Sequence, residues 1–384
     1  MKTCREKEVT VRPAWIEISL PAIKQNVAAF QGILSKNAEM MGIIKADAYG
    51  HGAIRVAGVL REAGITRFGV ALLQEGVELR EKGFHEPVLI LGATAAEDFP
   101  AALDYDLTLT VYNRAQALLL SNRAGERGKT AKVHLKIDTG MGRIGFRPGP
   151  EAIDQITGIA MLPHLKLEGI FSHQAWADNP QSDFAHIQFR RFLEFLQDLE
   201  RVGINFELRH IANSAATINF PSMHLDLVRL GISLYGLYPD QQMAAQPGIQ
   251  LHPAMEIKAR LVHVKEVPAG TPLSYGCTFI TDRRSLIGTV PMGYADGIPR
   301  GLSNNGEVLV RGLRCPIAGR ICMDQFMVDL TDVTEAAVND EVVFMGIQQQ
   351  ERITADEIAK RAGTISYEIV SRMSSRMPRI YPGA

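Results

Sequence analysis

Residues 41–52 read MGIIKADAYGHG. Met41, Gly42, Ile43 and Ile44 make a short apolar run without alternation, the pattern of a strand covered on both faces. Lys45 stands at the end of that run. Asp47, Tyr49, Gly50, His51 and Gly52 then form a tight polar, glycine-rich turn, and a helical pattern starts at Ala53. An ammonium loses hydration when buried, so a lysine here either snorkels to solvent or does chemistry. Parallel α/β folds keep their reactive groups at the C-terminal ends of strands, which makes Lys45 a candidate for the second role.

The same rhythm continues on both sides. WIEISL (15–20) alternates like a half-exposed strand, and Pro21 opens a helix to about residue 34. After the Lys45 strand, helix 53–63 stops at Gly64, and further strands are expected near 68–72, 88–91, 107–112, 132–137, 165–171, 207–211 and 227–230. Helices fit between them, including one starting after Asn113 and one over 183–202. Eight strand–helix units from residue 41 predict a (β/α)8 barrel of TIM type. The rival, a doubly wound open sheet, lacks a GxGxxG turn to open it. From about residue 250 short strands follow one another at 255–267, 285–291, 307–310, 326–330 and 341–345, with Gly, Pro and Asp turns and no long helix. The reading is therefore a barrel over 12–245 and a mostly β domain over 246–384, joined by a linker at 238–251. The strand at 13–20 is expected to pair with the β domain.

A chain of 384 residues with 46% hydrophobic content buries a large core. Its net charge of −1 offers no global field for nucleic acid or an anionic membrane surface. The start, MKTCREKEVT, puts charges where a signal peptide needs apolar residues, and no apolar run approaches the roughly 20 residues of a membrane span. Cys4, Cys277, Cys315 and Cys322 have no CxxC spacing, which favours a reducing cytoplasm and gives no metal site.

On one rim of the barrel the strand ends collect Lys45; Lys136 and Asp138, leading to Arg143; His173; His210, Asn213 and Ser214; and Arg229, Gly231 and Ile232. Singly, each has an ordinary role as a satisfied structural histidine, a surface charge or a helix cap. Together they imply a ligand with a phosphate, cradled by Ser214 and the backbone of Gly231 and Ile232, and an electrophile for lysine. Pyridoxal 5′-phosphate (PLP) meets both demands.

Over nearly its whole length the chain resembles alanine racemase. IKADAYGHG matches that family's PLP-lysine signature, and DTGMGRIGF, HIANSAA, VRLGISLYG, SYG, GYADG, AGRICMDQFMVD and SYE follow in the family's order. The resemblance implies that Lys45 carries PLP and is the base for D-alanine, while Tyr275 is the base for L-alanine. It implies that Tyr49, Ser214, Gly231, Ile232 and Tyr367 bind the phosphate and that Arg229 faces the pyridine nitrogen. Arg143 and the backbone of Met323 would orient the substrate carboxylate, His173 would link Tyr275 to Arg229, and Lys136 would be a site of N-carboxylation. Tyr275, Cys322, Met323 and Asp324 would come from the second subunit of a cytoplasmic homodimer that supplies D-alanine for peptidoglycan. FSHQAWAD departs from the family's pattern at Gln174 and Trp176.

Racemisation removes a proton from one face of Cα and returns one on the other, so it needs two bases. Lysine and tyrosine titrate near ~10, and a cationic setting from Arg229 and His173 is expected to bring them into use. Arginine at the ring nitrogen keeps its proton, which leaves the ring a weaker electron sink. Tyr275 and Tyr367 would narrow the entrance towards a methyl side chain. The alternatives are a broader racemase that accepts serine, a PLP decarboxylase of the same fold, a PLP-binding protein without chemistry, and a Schiff-base aldolase. A decarboxylase would oppose the ring nitrogen with a carboxylate where this chain has Arg229, and a lone binding barrel would lack the β domain.

Overall fold

From Glu39 onward the chain lays down eight parallel strands: β1 (Glu39–Ile43), β2 (Arg67–Val70), β3 (Val88–Ile90), β4 (Thr108–Val111), β5 (Ala131–Lys136), β6 (Leu165–Phe171), β7 (Leu208–His210) and β8 (Leu227–Leu230). The computed structural model describes residues 12–240, 242–243 and 249–383. Neighbours from β1 to β7 are laddered in order, and β8 returns to pair with β1, Arg229 opposite Met41. No ladder joins β7 to β8. Two backbone bonds draw that seam together, from Asp226 N to Arg209 O at 3.2 Å and from Arg229 N to Ala212 O at 3.0 Å. The result is the nearly closed (β/α)8 barrel expected from the alternation. It lies within the unit Pro21–Pro253.

The helices between the strands turn apolar stripes inward. Phe184–Arg201 buries Phe192, Phe195 and Leu199, and Arg114–Glu126 starts where Asn113 accepts from the Gln116 N–H. β1 stops at Ile43, so Lys45 lies just beyond the strand rather than at its last residue.

The other unit combines the segment before Pro21 with Ala254 onward. It holds a ten-stranded sheet in which Ala14–Ile18 runs antiparallel to Met255–Arg260. Where one strand was expected over 255–267, the chain makes two. At Leu261 and Val262 the backbone leaves the partner strand Glu341–Gln348 and joins Ser285–Val290, giving a second strand at His263–Val267. A strand at Leu313–Ala318 and helices at Ala355–Ala362 and Ser366–Ser371 are further differences from the expectation. The first helix starts where Thr354 Oγ1 accepts from the Glu357 N–H. Cys4, the boundary between 245 and 246, and residues 241 and 244–248 of the 238–251 linker lie outside the described residues. Among the described residues no helix is long and apolar enough to cross a membrane.

Candidate active site

The backbone after β1 sets the position of Lys45. Ala46, Asp47, Ala48 and Tyr49 all have φ between 51° and 54°, a full left-handed turn built from non-glycine residues. Such a turn costs on the order of 1–2 kcal/mol per residue and must be held from outside. Glu75 does part of this, since its Oε1 accepts from Ala46 N at 2.6 Å while Oε2 accepts from Ala71 N and Leu72 N. Asp47 Oδ1 accepts from Ala53 N at 2.7 Å, and Tyr235 donates its phenol proton to Ile43 O at 2.8 Å. Neither Glu75 nor Tyr235 stood out in the sequence, because their partners are backbone groups of distant segments.

The Lys45 ammonium has no hydrogen bond or ion pair with any described residue, and Nζ lies 6.0 Å from the centre of the Tyr49 ring. Burial, then the charge of Arg143, pull its pKa below the usual lysine value; Glu75 opposes this and Arg229 adds to it. Lys136 is more deeply buried. Its Nζ donates to Ile137 O at 2.9 Å and lies 5.2 Å from the Phe171 ring centre, with its pKa brought down to about 7 by burial and by Arg229. Arg143 is exposed and pairs with no described acidic group, though its charge reaches Lys45, Lys136, His173 and Arg229.

Arg229 is buried and heavily used. Nη1 donates to His210 Nδ1 at 2.9 Å, and Nη2 donates to Ser172 O, Ile211 O and His173 Nδ1 at 2.9, 3.1 and 3.1 Å. Burial and Arg143 lower its pKa to about 9, still cationic at neutral pH. The expectation that His173 adds positive charge needs correction. Its Nδ1 accepts from Arg229, and burial with Arg229 beside it holds it well below the usual histidine range, so the ring is neutral. The loop after it is clamped by Gln188, whose amide donates to His173 O and accepts from Ala175 N. Gln174 is buried and donates to Ala185 O, while Trp176 is exposed.

At β7 and β8, Gly231 N–H donates to Ser214 Oγ at 2.9 Å. Asn213, not Ser214, caps the helix Ser214–Asn219. Tyr49 closes over Gly231, where a Cβ would sit 2.7 Å from its hydroxyl. Burial pushes the Tyr49 phenol up, which keeps it a neutral donor.

These groups fit PLP in three respects. Among the described residues Lys45 Nζ has no acceptor and Arg229 Nε–H is given to none, and the space over Gly231 is lined by the hydroxyls of Tyr49 and Ser214. Lys45, Tyr49, Lys136, Arg143, His173, Ser214, Arg229, Gly231 and Ile232 thus gather in the barrel unit. Tyr275, Met323 and Tyr367 belong to the other unit. There Tyr275 sits on a short turn, 71% exposed, beside Ser274, whose Oγ donates to Arg320 O. Met323 is 52% exposed; its carbonyl accepts from Ala295 N, and its N–H is given to no described residue. Tyr367 is half-buried on the helix Ser366–Ser371.

Comparison with known proteins agrees with this geometry. The family models for the N-terminal and C-terminal domains of alanine racemase match residues 18–239 and 254–381. An alanine racemase of Desulforamulus reducens is 47% identical over 371 residues, 97% of this chain and 99% of that protein. One from Halothermothrix orenii is 45% identical over 98% of both. Among solved structures, alanine racemase of Clostridium difficile 630 superposes with a TM-score of 0.93 at 38% identity, covering 97% of this chain and 96% of that one. The alanine racemase of Bacillus anthracis with bound L-Ala-P gives 0.92 at 37%, covering 96% and 95%. With both domains matched and sequence identity of this extent over the whole length, the chain belongs to the alanine racemase family.

Proposed function

We propose that this chain interconverts L- and D-alanine as a PLP-dependent isomerase, with Lys45 as the base on one face of the substrate and Tyr275 as the base on the other. The observation that carries the reading is Arg229: a buried guanidinium holding four acceptors in the barrel, its Nε–H unclaimed, where a decarboxylase would need a carboxylate. When bound, PLP supplies the electrophile that takes the amino group and weakens the bond from Cα to hydrogen.

The chain's own groups do the rest. Lys45 would hold the cofactor through its aldehyde carbon, and its amine would take or return the Cα proton on the side of D-alanine. Its lowered pKa makes the neutral amine accessible. Arg229 would donate to the ring nitrogen and keep its own proton, which would limit charge build-up in the ring and the side reactions that follow. Tyr49, Ser214, Gly231, Ile232 and Tyr367 would take the phosphate, and Arg143 and the Met323 N–H would take the substrate carboxylate. The low pKa of Lys136 leaves neutral amine to react with carbon dioxide. The carbamate would give Arg143, exposed and paired with no described acidic group, an anionic partner. Tyr275 acts from a second subunit, and the enzyme works in the cytoplasm, supplying D-alanine to the cell wall.

The test is solvent deuterium uptake. Tyr275→Phe is expected to lose exchange into L-alanine while keeping it in D-alanine, and Lys45→Ala to lose both. Equal uptake from the two enantiomers in Tyr275→Phe would refute the assignment of bases.

A further inference from the structure

A polar column runs through the barrel interior below Arg229, where barrels of this kind stack apolar side chains. Arg229 Nη1 meets His210 Nδ1 at 2.9 Å, His210 Nε2 meets His134 Nδ1 at 2.8 Å, and His134 Nε2 meets Glu168 Oε2 at 3.3 Å. The four residues come from β8, β7, β5 and β6, and all are buried. Phe171 stacks on His210 with ring centres 4.8 Å apart and planes 4° apart. Gly169, opposite His134 in the β5–β6 pairing, makes room for that ring; a Cβ there would lie 2.6 Å from it. The column is therefore sterically built, not a chance meeting of side chains.

Its chemistry has a direction. Arginine can only donate and a carboxylate can only accept. His210 must offer a lone pair at Nδ1, so its proton sits on Nε2. That proton points at His134 Nδ1, which must also accept, leaving the His134 proton on Nε2 for Glu168. Burial lowers the pKa of both imidazoles, opposed at His134 by Glu168 and reinforced at His210 by Arg229, which favours the neutral rings, while the His134 hydrogen bond holds Glu168 as a carboxylate. The 3.3 Å contact is then a hydrogen bond from a neutral ring rather than an ion pair. Without the acceptor at Glu168, the column faces a choice of two penalties. It can leave the His134 N–H unsatisfied, or it can move both protons to Nδ1 and set His210 N–H against Arg229 N–H.

We propose that Glu168 is a positioning residue for the racemase site, fixing the tautomers of His134 and His210 and through them the plane in which Arg229 presents its N–H groups. The inference rests on the reading that Arg229 faces the ring nitrogen of PLP. The effect reaches the cofactor from a residue well down β6, and no contact between Glu168 and any ligand is required.

The test uses the holoenzyme labelled with 15N-histidine, comparing the parent with Glu168→Leu, Glu168→Gln and Gly169→Ala. Imidazole nitrogen shifts, cofactor absorbance, melting temperature, kcat and KM are the readouts. In the parent, His134 and His210 are expected as neutral Nε2–H tautomers. Glu168→Leu and Gly169→Ala should disturb those signals, shift the absorbance and lower kcat roughly tenfold with little change in KM, as loss of an outer partner of a bound group typically does. Glu168→Gln, whose amide oxygen can still accept, should stay near the parent. A parent His134 protonated on Nδ1, or unchanged signals and kcat in Glu168→Leu, would overturn the proposal. So would Glu168→Gln failing as badly as Glu168→Leu at equal melting temperature. If the histidine signals move while absorbance and kcat stay fixed, the column stands but the assignment of Arg229 to the ring nitrogen fails, and the proposal falls with it.

Discussion

Lys136 is a buried amine held in an unfavourable position in the barrel, and pH exposes the cost. Its pKa falls from 10.5 to about 7 because burial and the cations Arg229 and Arg143 outweigh Asp138. Between those values the unfolded chain binds a proton that the folded chain does not, so this residue's contribution makes stability rise with pH. Below about pH 7 both states are protonated and the full penalty remains. In bicarbonate-free buffer, the gain in unfolding free energy from pH 7 to about pH 9 should be larger in the parent than in Lys136→Met, by about 1 kcal/mol or more. Urea denaturation at the two pH values checks this, and parallel slopes would refute it. Lys45, Lys136 and Arg229 were legible in the sequence because each is a charge at or beside the end of an apolar run. His134 and Glu168 were not. In KVHLK and KLEGIF they read as the polar half of an alternating strand, and only closure of the barrel turns those positions inward towards partners 76 and 34 residues away.

The left-handed turn at 46–49 is an element no periodicity can reveal, since Ala, Asp, Ala and Tyr carry no glycine to announce positive φ. The sequence marks a turn there through Gly50 and Gly52 but not its hand. The strand–helix alternation around it was legible because buried parallel strands are short apolar runs and the intervening helices have apolar stripes. Strand limits were less so, as at residues 261–262, where the break depends on a change of partner. Ala46 is exposed and adopts φ 51°, so removing its Cβ relieves strain without emptying a packed site. Ala46→Gly should raise stability by about 0.5–1 kcal/mol, and Ala46→Val should lower it by at least about 1 kcal/mol, because a β-branched residue tolerates this region worst. Denaturant titration of both variants measures the difference. Equal stabilities would mean that the turn is not strained at Ala46.

At the scale of the whole molecule, the single chain keeps Tyr275, Met323 and Tyr294 exposed by 71%, 52% and 40%. They share one region of their unit: Tyr294 N donates to Cys322 O, next to Met323, and Ser274 Oγ lies 3.7 Å from Cys322 Sγ. Exposed aromatic and methionine side chains grouped in this way suit an interface. If a second subunit delivers Tyr275 to the barrel of the first, two inactive variants must rescue each other. Mixing Lys45→Ala with Tyr275→Phe through a dissociation and reassociation step gives hybrids in about half of the dimers. In a hybrid, one site combines both defects and the other combines the intact Lys45 of one chain with the intact Tyr275 of the other. Roughly a quarter of the parental activity should return, half the dimers each having half their sites restored. A site assembled within one chain would leave every site in the mixture with a single defect. Activity staying at the level of the separate variants would therefore refute the shared site, provided that a charged tag on one variant lets ion-exchange chromatography resolve the hybrid dimers and confirm that they have formed.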